Sequence, residues 1–161
     1  MFNYNIINYG IMKFLDSNNA HKLLLLSHDF NTLNVWHMDC SKKIKLQELT
    51  DEILLQERYK NLETLTCFEN NITDKSISEL LNLKKLKCRF CYNITSESIS
   101  LLKNLVYLNI IHCKNIDDDT LLKLKKLLIL SCIQKKLNKN SISRLEKLIK
   151  LKCSEDNDVT K

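Results

Sequence analysis

The sequence predicts an α/β solenoid, a short ladder with parallel strands on the inside and short helices on the outside. The prediction rests on a recurring motif and on its spacing. A Leu-x-x-Leu pattern, usually followed by x-Cys, starts at residues 62, 83, 105 and 127, with a partial copy at 148. The starts are 21 or 22 residues apart. A fixed period of this length is typical of repeats that bury their apolar sides against their neighbours.

The first half of each repeat has the pattern of a short strand, because apolar and polar residues alternate with a period of two. Cysteine fills one inward strand position in most copies, where it acts as a small buried hydrophobe. These positions hold Cys67, Cys88, Cys132 and Cys153, with Ile110 in the third copy. Three residues further on, we expect Cys91 and Cys113 to satisfy backbone groups of the turn.

The second half of each repeat has the pattern of a helical turn, since a capping residue precedes apolar residues at helical spacing. The predicted N-caps are Thr73, Thr95 and Asp117. The predicted inward-facing helix residues are Ile77, Ile99, Leu121 and Ile142.

The chain before residue 62 divides into two predicted parts. Residues 41–61 form a degenerate first repeat, with Ile44-Lys45-Leu46 as its strand and residues 49–59 as a longer amphipathic helix capped by Thr50 or Asp51. Residues 1–40 lack the repeat and have a helical pattern, interrupted by polar breaks. We therefore expect a helical segment over 1–40 followed by a repeat array over 41–161.

Composition and charge indicate which kinds of partner and which cellular location to expect. The net charge of +6 is spread over almost every repeat, without a run of lysines. This pattern is more typical of a solvated surface than of nucleic-acid binding. No stretch has the 18 apolar residues of a membrane span, and the first fifteen residues do not resemble a secretory signal. We expect an intracellular protein, cytoplasmic or nuclear, with no membrane association.

The sequence predicts no enzyme, metal or cofactor. Zinc ligands could be sought in Cys88-x-x-Cys91 with His112-Cys113, but the repeat register places Cys88 in the core and the other two cysteines in turns. Asp117-Asp118-Asp119 could hold a metal, yet at a helix start carboxylates are explained more simply by capping and the helix dipole.

The outward strand positions predict a concave face that binds a protein. Cations next to exposed aromatic and apolar side chains favour a partner with acidic character. The predicted site contains Phe68, Lys85, Lys87, Arg89, Phe90, Tyr107, Ile111 and Ile129. The alternative is a solvated sheet surface with no partner.

The order of Ile11-Met12-Lys13-Phe14-Leu15-Asp16, Leu23 to Leu26, Ser27-His28-Asp29-Phe30-Asn31 and Trp36 resembles the F-box. The array behind it resembles the cysteine-containing leucine-rich repeats of F-box proteins. This resemblance implies a substrate-recognition adaptor of a cullin–RING ubiquitin ligase, in which the repeats capture the client. It also implies docking of a Skp-type linker subunit on Ile7, Ile11, Phe14 and Leu15. The alternative is a repeat scaffold without a ubiquitin link, whose N-terminal helices cap the first repeat.

Overall fold

The computed structural model describes residues 37–39, 49–68, 71–133 and 138–154. In this part of the chain, six parallel strands form one open sheet, and their order in space follows their order in the sequence. The strands are β1 His37–Asp39, β2 Thr64–Phe68, β3 Lys85–Arg89, β4 Tyr107–Asn109, β5 Ile129–Ile133 and β6 Lys150–Ser154.

A short helix lies in each connection between strands, because parallel neighbours require a crossover. The helices are α1 Asp51–Leu54, α2 Asp74–Ile77, α3 Ser96–Leu101, α4 Asp118–Leu122 and α5 Lys139–Ser143. Consecutive helices pack against each other as the strands do. The chain is therefore an α/β repeat fold, and its repeat-like parallel sheet fits the leucine-rich pattern of the sequence.

The register of the sheet stacks equivalent residues of successive repeats. Leu65, Leu86, Leu108 and Leu130 pair in sequence across β2 to β5, and all four are fully buried. Their side chains join the helix residues in one continuous hydrophobic core. A 21- or 22-residue offset thus places like side chains side by side across most of the sheet.

The predicted helix starts are confirmed. The side chains of Thr73, Thr95 and Asp117 each accept a hydrogen bond from a backbone N–H in the first turn of α2, α3 and α4. Ile77, Ile99 and Leu121 are buried as expected, whereas Ile142 is half-buried.

The start of the array differs from the prediction. The strand beside β2 is β1, and its Met38 pairs with Leu65 and is 5% exposed. Ile44-Lys45-Leu46, which we predicted to take this position, lies outside the described residues. The offset from Met38 to Leu65 is longer than the repeat period, so the period did not reveal this strand. The sheet therefore includes residues before the predicted domain boundary at residue 41.

The predicted helix over residues 49–59 is also wrong in length. Helix α1 ends at Leu54, and a 3₁₀ turn over Glu57–Tyr59 follows it. Thr50 is the N-cap residue but makes no side-chain cap bond. The chain turns early because Tyr59 is completely buried and because β2 begins five residues later. Packing of Tyr59 in the core thus overrides the helical pattern.

None of the helices in the described ranges has the length and apolar character that crossing a membrane requires.

Candidate functional site

The strand side chains that alternate with the core residues form a second face of the sheet, which we call the exposed sheet face. Among the side chains of this face that the structure describes, all but Ser131 are half-buried or exposed. From β2 to β6 they are Thr64, Thr66, Phe68; Lys85, Lys87, Arg89; Tyr107, Asn109; Ile129, Ser131; and Lys150, Lys152.

The lysines of β3 lie close to the aromatic ring of the next strand. Lys85 and Tyr107 are register partners. The ammonium nitrogens of Lys85 and Lys87 lie 5.3 and 5.8 Å from the centre of the Tyr107 ring. Both distances are in the range of a cation–π interaction. Two positive charges therefore lie next to the Tyr107 ring, where β3 and β4 are neighbours.

Arg89 lies among aromatic rings at the end of the same strand. Its guanidinium carbon is 5.9 Å from the ring centres of both Phe68 and Phe90. The two phenylalanine rings contact edge to face, with their centres 5.3 Å apart. The cation is thus placed on a hydrophobic platform.

A third ring, that of His112, extends this platform. His112 stacks on Phe90 with ring centres 4.2 Å apart and planes inclined by 14°. Both residues have left-handed backbone conformations, with φ of 57° and 62°, which are uncommon for large side chains. The sequence reasoning did not assign His112 to the site. Its position 22 residues after Phe90, one repeat period, is the signal that would have found it.

The structure brings the predicted partner-binding residues together. Phe68, Arg89 and Phe90 form one contact group and Lys85, Lys87 and Tyr107 another, while Ile129 is the register partner of Tyr107. Ile111 follows β4 and is half-buried, and its carbonyl accepts a hydrogen bond from the Phe90 N–H. The predicted linker-docking residues Ile7, Ile11, Phe14 and Leu15 lie outside the described residues.

From β2 to β6, the exposed sheet face carries five basic side chains and no acidic one. In the described part of the chain, the ion pairs are Lys60–Glu57 and Lys84–Glu63, and neither lies on this face. The face therefore presents a positive potential that attracts acidic groups.

Ser131 departs from the pattern of its neighbours. It alternates with the core residues Leu130 and Cys132, yet only 2% of its surface is exposed. Its hydroxyl is buried and has no hydrogen-bond partner in the described structure. The side chains around Ser131 therefore cover it, although its position belongs to the exposed sheet face.

The cysteines of the described core form a cluster of thiols. The sulfurs of Cys67 and Cys91 are 3.8 Å apart, and the Cys113 thiol donates to the Cys88 carbonyl over 3.0 Å. A hydrogen bond with the Cys113 thiol and burial raise the pKa of Cys88 well above its ordinary value. Cys88 is therefore a protonated thiol at neutral pH, whereas nucleophilic attack and metal binding both require the thiolate.

The structure separates His112 from the cysteines that could have suggested zinc. His112 stacks on Phe90 at the surface, whereas Cys113 next to it is buried. In the described ranges, no three His, Cys, Asp or Glu side chains are grouped as metal ligands.

The acidic run at the start of α4 has a structural role. Asp117 accepts from the Thr120 N–H at 2.8 Å, and Asp118 accepts from the Asn138 N–H of the next repeat at 2.9 Å. Asp119 is exposed. Capping accounts for Asp117, as the sequence indicated, whereas Asp118 links α4 to the next repeat.

Comparison with known proteins supports the fold. No family model and no curated protein matches the chain. A solved structure that it resembles is a chain in the crystal structure of the Rad7 and Elc1 complex in yeast, with a TM-score of 0.51 and 20% identity. The similarity covers 66% of this chain and 33% of that one, so this chain spans about a third of the length of its structural neighbour. The fold and the exposed sheet face define the class: an α/β repeat protein with a cationic and aromatic surface.

Proposed function

We propose that this chain is a leucine-rich-repeat solenoid that captures a protein partner on its exposed sheet face and has no catalytic role. One observation carries the proposal: Lys85, Lys87 and Arg89 lie over aromatic rings on a face that has no acidic side chain on β2 to β6. Aromatic residues and arginine are enriched in protein interfaces, and they dominate their binding energy.

The contacts between cations and rings lower the entropy cost of binding a partner. The rings of Tyr107, Phe68 and Phe90 restrict the cations before a partner arrives, so less side-chain entropy is lost on association. The unpaired charges attract an acidic partner and increase its association rate. The structural neighbour was itself crystallised in a complex of two proteins, Rad7 and Elc1, which supports a protein-binding role for this fold.

The test is charge reversal on β3. We expect K85E/K87E/R89E to lose partner capture in affinity purification, because three attractive charges become repulsive. A matched control, K103E/K125E/K147E, makes the same change in net charge at exposed residues away from this face and should retain the partner. Equal capture by both variants, with unchanged thermal unfolding, would exclude this site.

A more specific proposal assigns this partner capture to a ubiquitin ligase. We propose that the chain is the substrate-recognition adaptor of an SCF-type cullin–RING ubiquitin ligase. The support is the F-box resemblance of residues 11–36, with Ile7, Ile11, Phe14 and Leu15 as the docking residues for a Skp-type linker subunit. The exposed sheet face would then hold the client.

Two variants test the linker-docking residues and the client-binding face of such an adaptor independently. I11D/L15D should lose the linker subunit and cullin in affinity capture from the native or host cell, while it keeps the client. K85E/K87E/R89E should lose the client and keep the ligase subunits. If neither subunit is recovered with wild type while the client is, the chain is a scaffold without a ubiquitin link. I11D/L15D should then lower the melting temperature, because in that case these residues cap the first repeat.

A further inference from the structure

The centre of the exposed sheet face is an uncharged lane between two cationic strands. On β4 and β5 the lane contains Tyr107, Asn109, Ile129 and Ser131, and Ile111 extends it past the end of β4. We call these five residues the central lane. Strand β3 borders it on one side and β6 on the other.

Both borders present positive charge to the lane. On the β3 side, the ammonium groups of Lys85 and Lys87 lie over the ring of Tyr107, at the edge of the lane next to β3. On the β6 side, Lys150 and Lys152 are exposed and form no ion pair with a described residue. Three strand spacings separate β3 from β6, or about 14 Å.

Ser131 lies at the centre of the lane, between Asn109 on β4 and Lys152 on β6 in the register. Its hydroxyl is buried and unpartnered in the described structure, so the surrounding side chains cover it. Tyr107 and Ile129 are half-buried and supply the apolar surface that a partner can contact beside it.

We infer that the central lane binds an amphipathic helix of the partner, with an apolar stripe against the lane and acidic residues on both flanks. The inference rests on the proposed function and specifies the chemistry of the partner. A helix with its side chains is about 10–12 Å across, which is comparable with the separation of about 14 Å between strands β3 and β6. Five strand residues extend about 16 Å, the length of about three helical turns.

The charge pattern favours a helix over an extended segment. A helix presents one apolar stripe and can carry carboxylates on both sides of it. An extended strand directs successive side chains to opposite faces, so it cannot place an apolar row downwards and acidic residues along both edges. A nucleic acid would neutralise the lysines but has no apolar stripe to bury against Ile111 and Ile129.

Binding of synthetic peptides tests the inference. The probe is a labelled peptide of about five helical turns, with leucines at helical spacing and glutamates on both flanks of the leucine stripe. Its isomer has the same composition in strict alternation, the pattern of a strand. In fluorescence anisotropy we expect the helical peptide to bind about tenfold more tightly than its isomer, a difference of about 1.4 kcal/mol. Equal affinities, or tighter binding of a single-stranded oligonucleotide, would overturn the inference.

Two variants test whether the peptide binds in the central lane. Ser131→Phe places a large ring at the centre of the lane without changing the charge, and K150E/K152E reverses the border that the proposed function does not require. Each should weaken binding of the helical peptide by about tenfold or more, whereas K125E/K147E should leave it unchanged. A melting curve checks that each variant is folded, and the K150E/K152E result stands if Ser131→Phe does not fold.

The outcomes separate this inference from the proposed function. Loss of the cellular partner in K85E/K87E/R89E, with no preference for the helical peptide, refutes the helix and retains protein capture. Unchanged capture of the partner by K85E/K87E/R89E refutes the proposed function and the lane together.

Discussion

At the scale of single residues, an aspartate at the start of a helix links one repeat to the next. Asp74 in α2 accepts hydrogen bonds from the Thr95 N–H at 2.8 Å, the Thr95 hydroxyl at 2.6 Å and the Ser98 hydroxyl. Asp51 makes the same three bonds one repeat earlier, to Thr73 and Ser76. The caps of α2 and α3 are therefore themselves held by the preceding repeat.

Removal of this link should destabilise the protein. In Asp74→Ala the backbone N–H of Thr95 and two hydroxyls lose their acceptor, and Ser98 is almost completely buried. Unsatisfied buried donors cost about 1–3 kcal/mol, so we expect a loss of about 2–3 kcal/mol in urea unfolding. Asp119→Ala, at an exposed position in α4, is the matched control and should change stability by less than about 0.5 kcal/mol. Similar midpoints for the two variants would contradict the role of Asp74.

Residue positions within the repeat were predictable from the sequence, but contacts between residues were not. The register predicted that Cys67 and Cys88 point inward, since both fill the same strand position. It did not predict that the sulfurs of Cys67 and Cys91 lie 3.8 Å apart, or that His112 stacks on Phe90. These distances depend on the left-handed turns at Phe90 and His112, which no glycine marks.

At the scale of elements, β4 is a short strand that connects the two halves of the described sheet. It has three residues and pairs with β3 on one side and β5 on the other. Its middle residue, Leu108, is completely buried. A cavity at this position therefore affects the packing of two neighbouring repeats.

We expect Leu108→Ala to lower the free energy of unfolding by about 2–5 kcal/mol, the usual cost of a buried leucine. Leu101→Ala removes the same atoms from a half-exposed position in α3 and should cost much less. Chemical denaturation followed by circular dichroism provides both values. A cost for Leu108→Ala no greater than that for Leu101→Ala would show that the repeats are not packed across β4.

Element types followed the local pattern wherever the repeat was regular. Thr73 and Thr95 were identifiable as caps because each precedes an apolar pattern of helical spacing. Residues 49–59 also had a helical pattern, but the burial of Tyr59 stops the helix at Leu54. Strand β1 carries one buried apolar residue, Met38, and one such residue is too little to define a strand in the sequence.

At the scale of the whole molecule, hydrogen bonds to carboxylates at the helix starts couple stability to pH. Desolvation alone would raise the pKa of Asp51, but hydrogen bonds from Ser76 and Thr73 outweigh it and lower this pKa below its usual 3.8. Hydrogen bonds from Thr120 likewise lower the pKa of Asp117. The folded state therefore binds fewer protons than the unfolded state in acid, so stability falls as the pH falls.

We expect the stability from these two carboxylates to be complete above their unfolded pKa of about 4, and to be lost as the pH falls through their lower folded values. Asp51→Asn should be less stable than wild type at pH 7, and its stability should fall less steeply between about pH 5 and pH 2. Asp119→Asn should follow the wild-type curve. Urea unfolding at a series of pH values measures the slopes, and parallel curves for Asp51→Asn and wild type would refute the assignment.

The 21- to 22-residue period, by itself, determined the parallel α/β repeat fold, the inward and outward faces and the position of the β3 cations. It could do so because each repeat presents the same apolar side and is buried by an equivalent neighbour. Only the tertiary structure decided that β1 pairs with β2, which rings stack, and that Ser131 lies buried between charged borders. These features arise from contacts between residues of different repeats. Such contacts depend on the side-chain sizes and the turn conformations of both repeats, and a periodic pattern specifies neither the sizes nor the conformations.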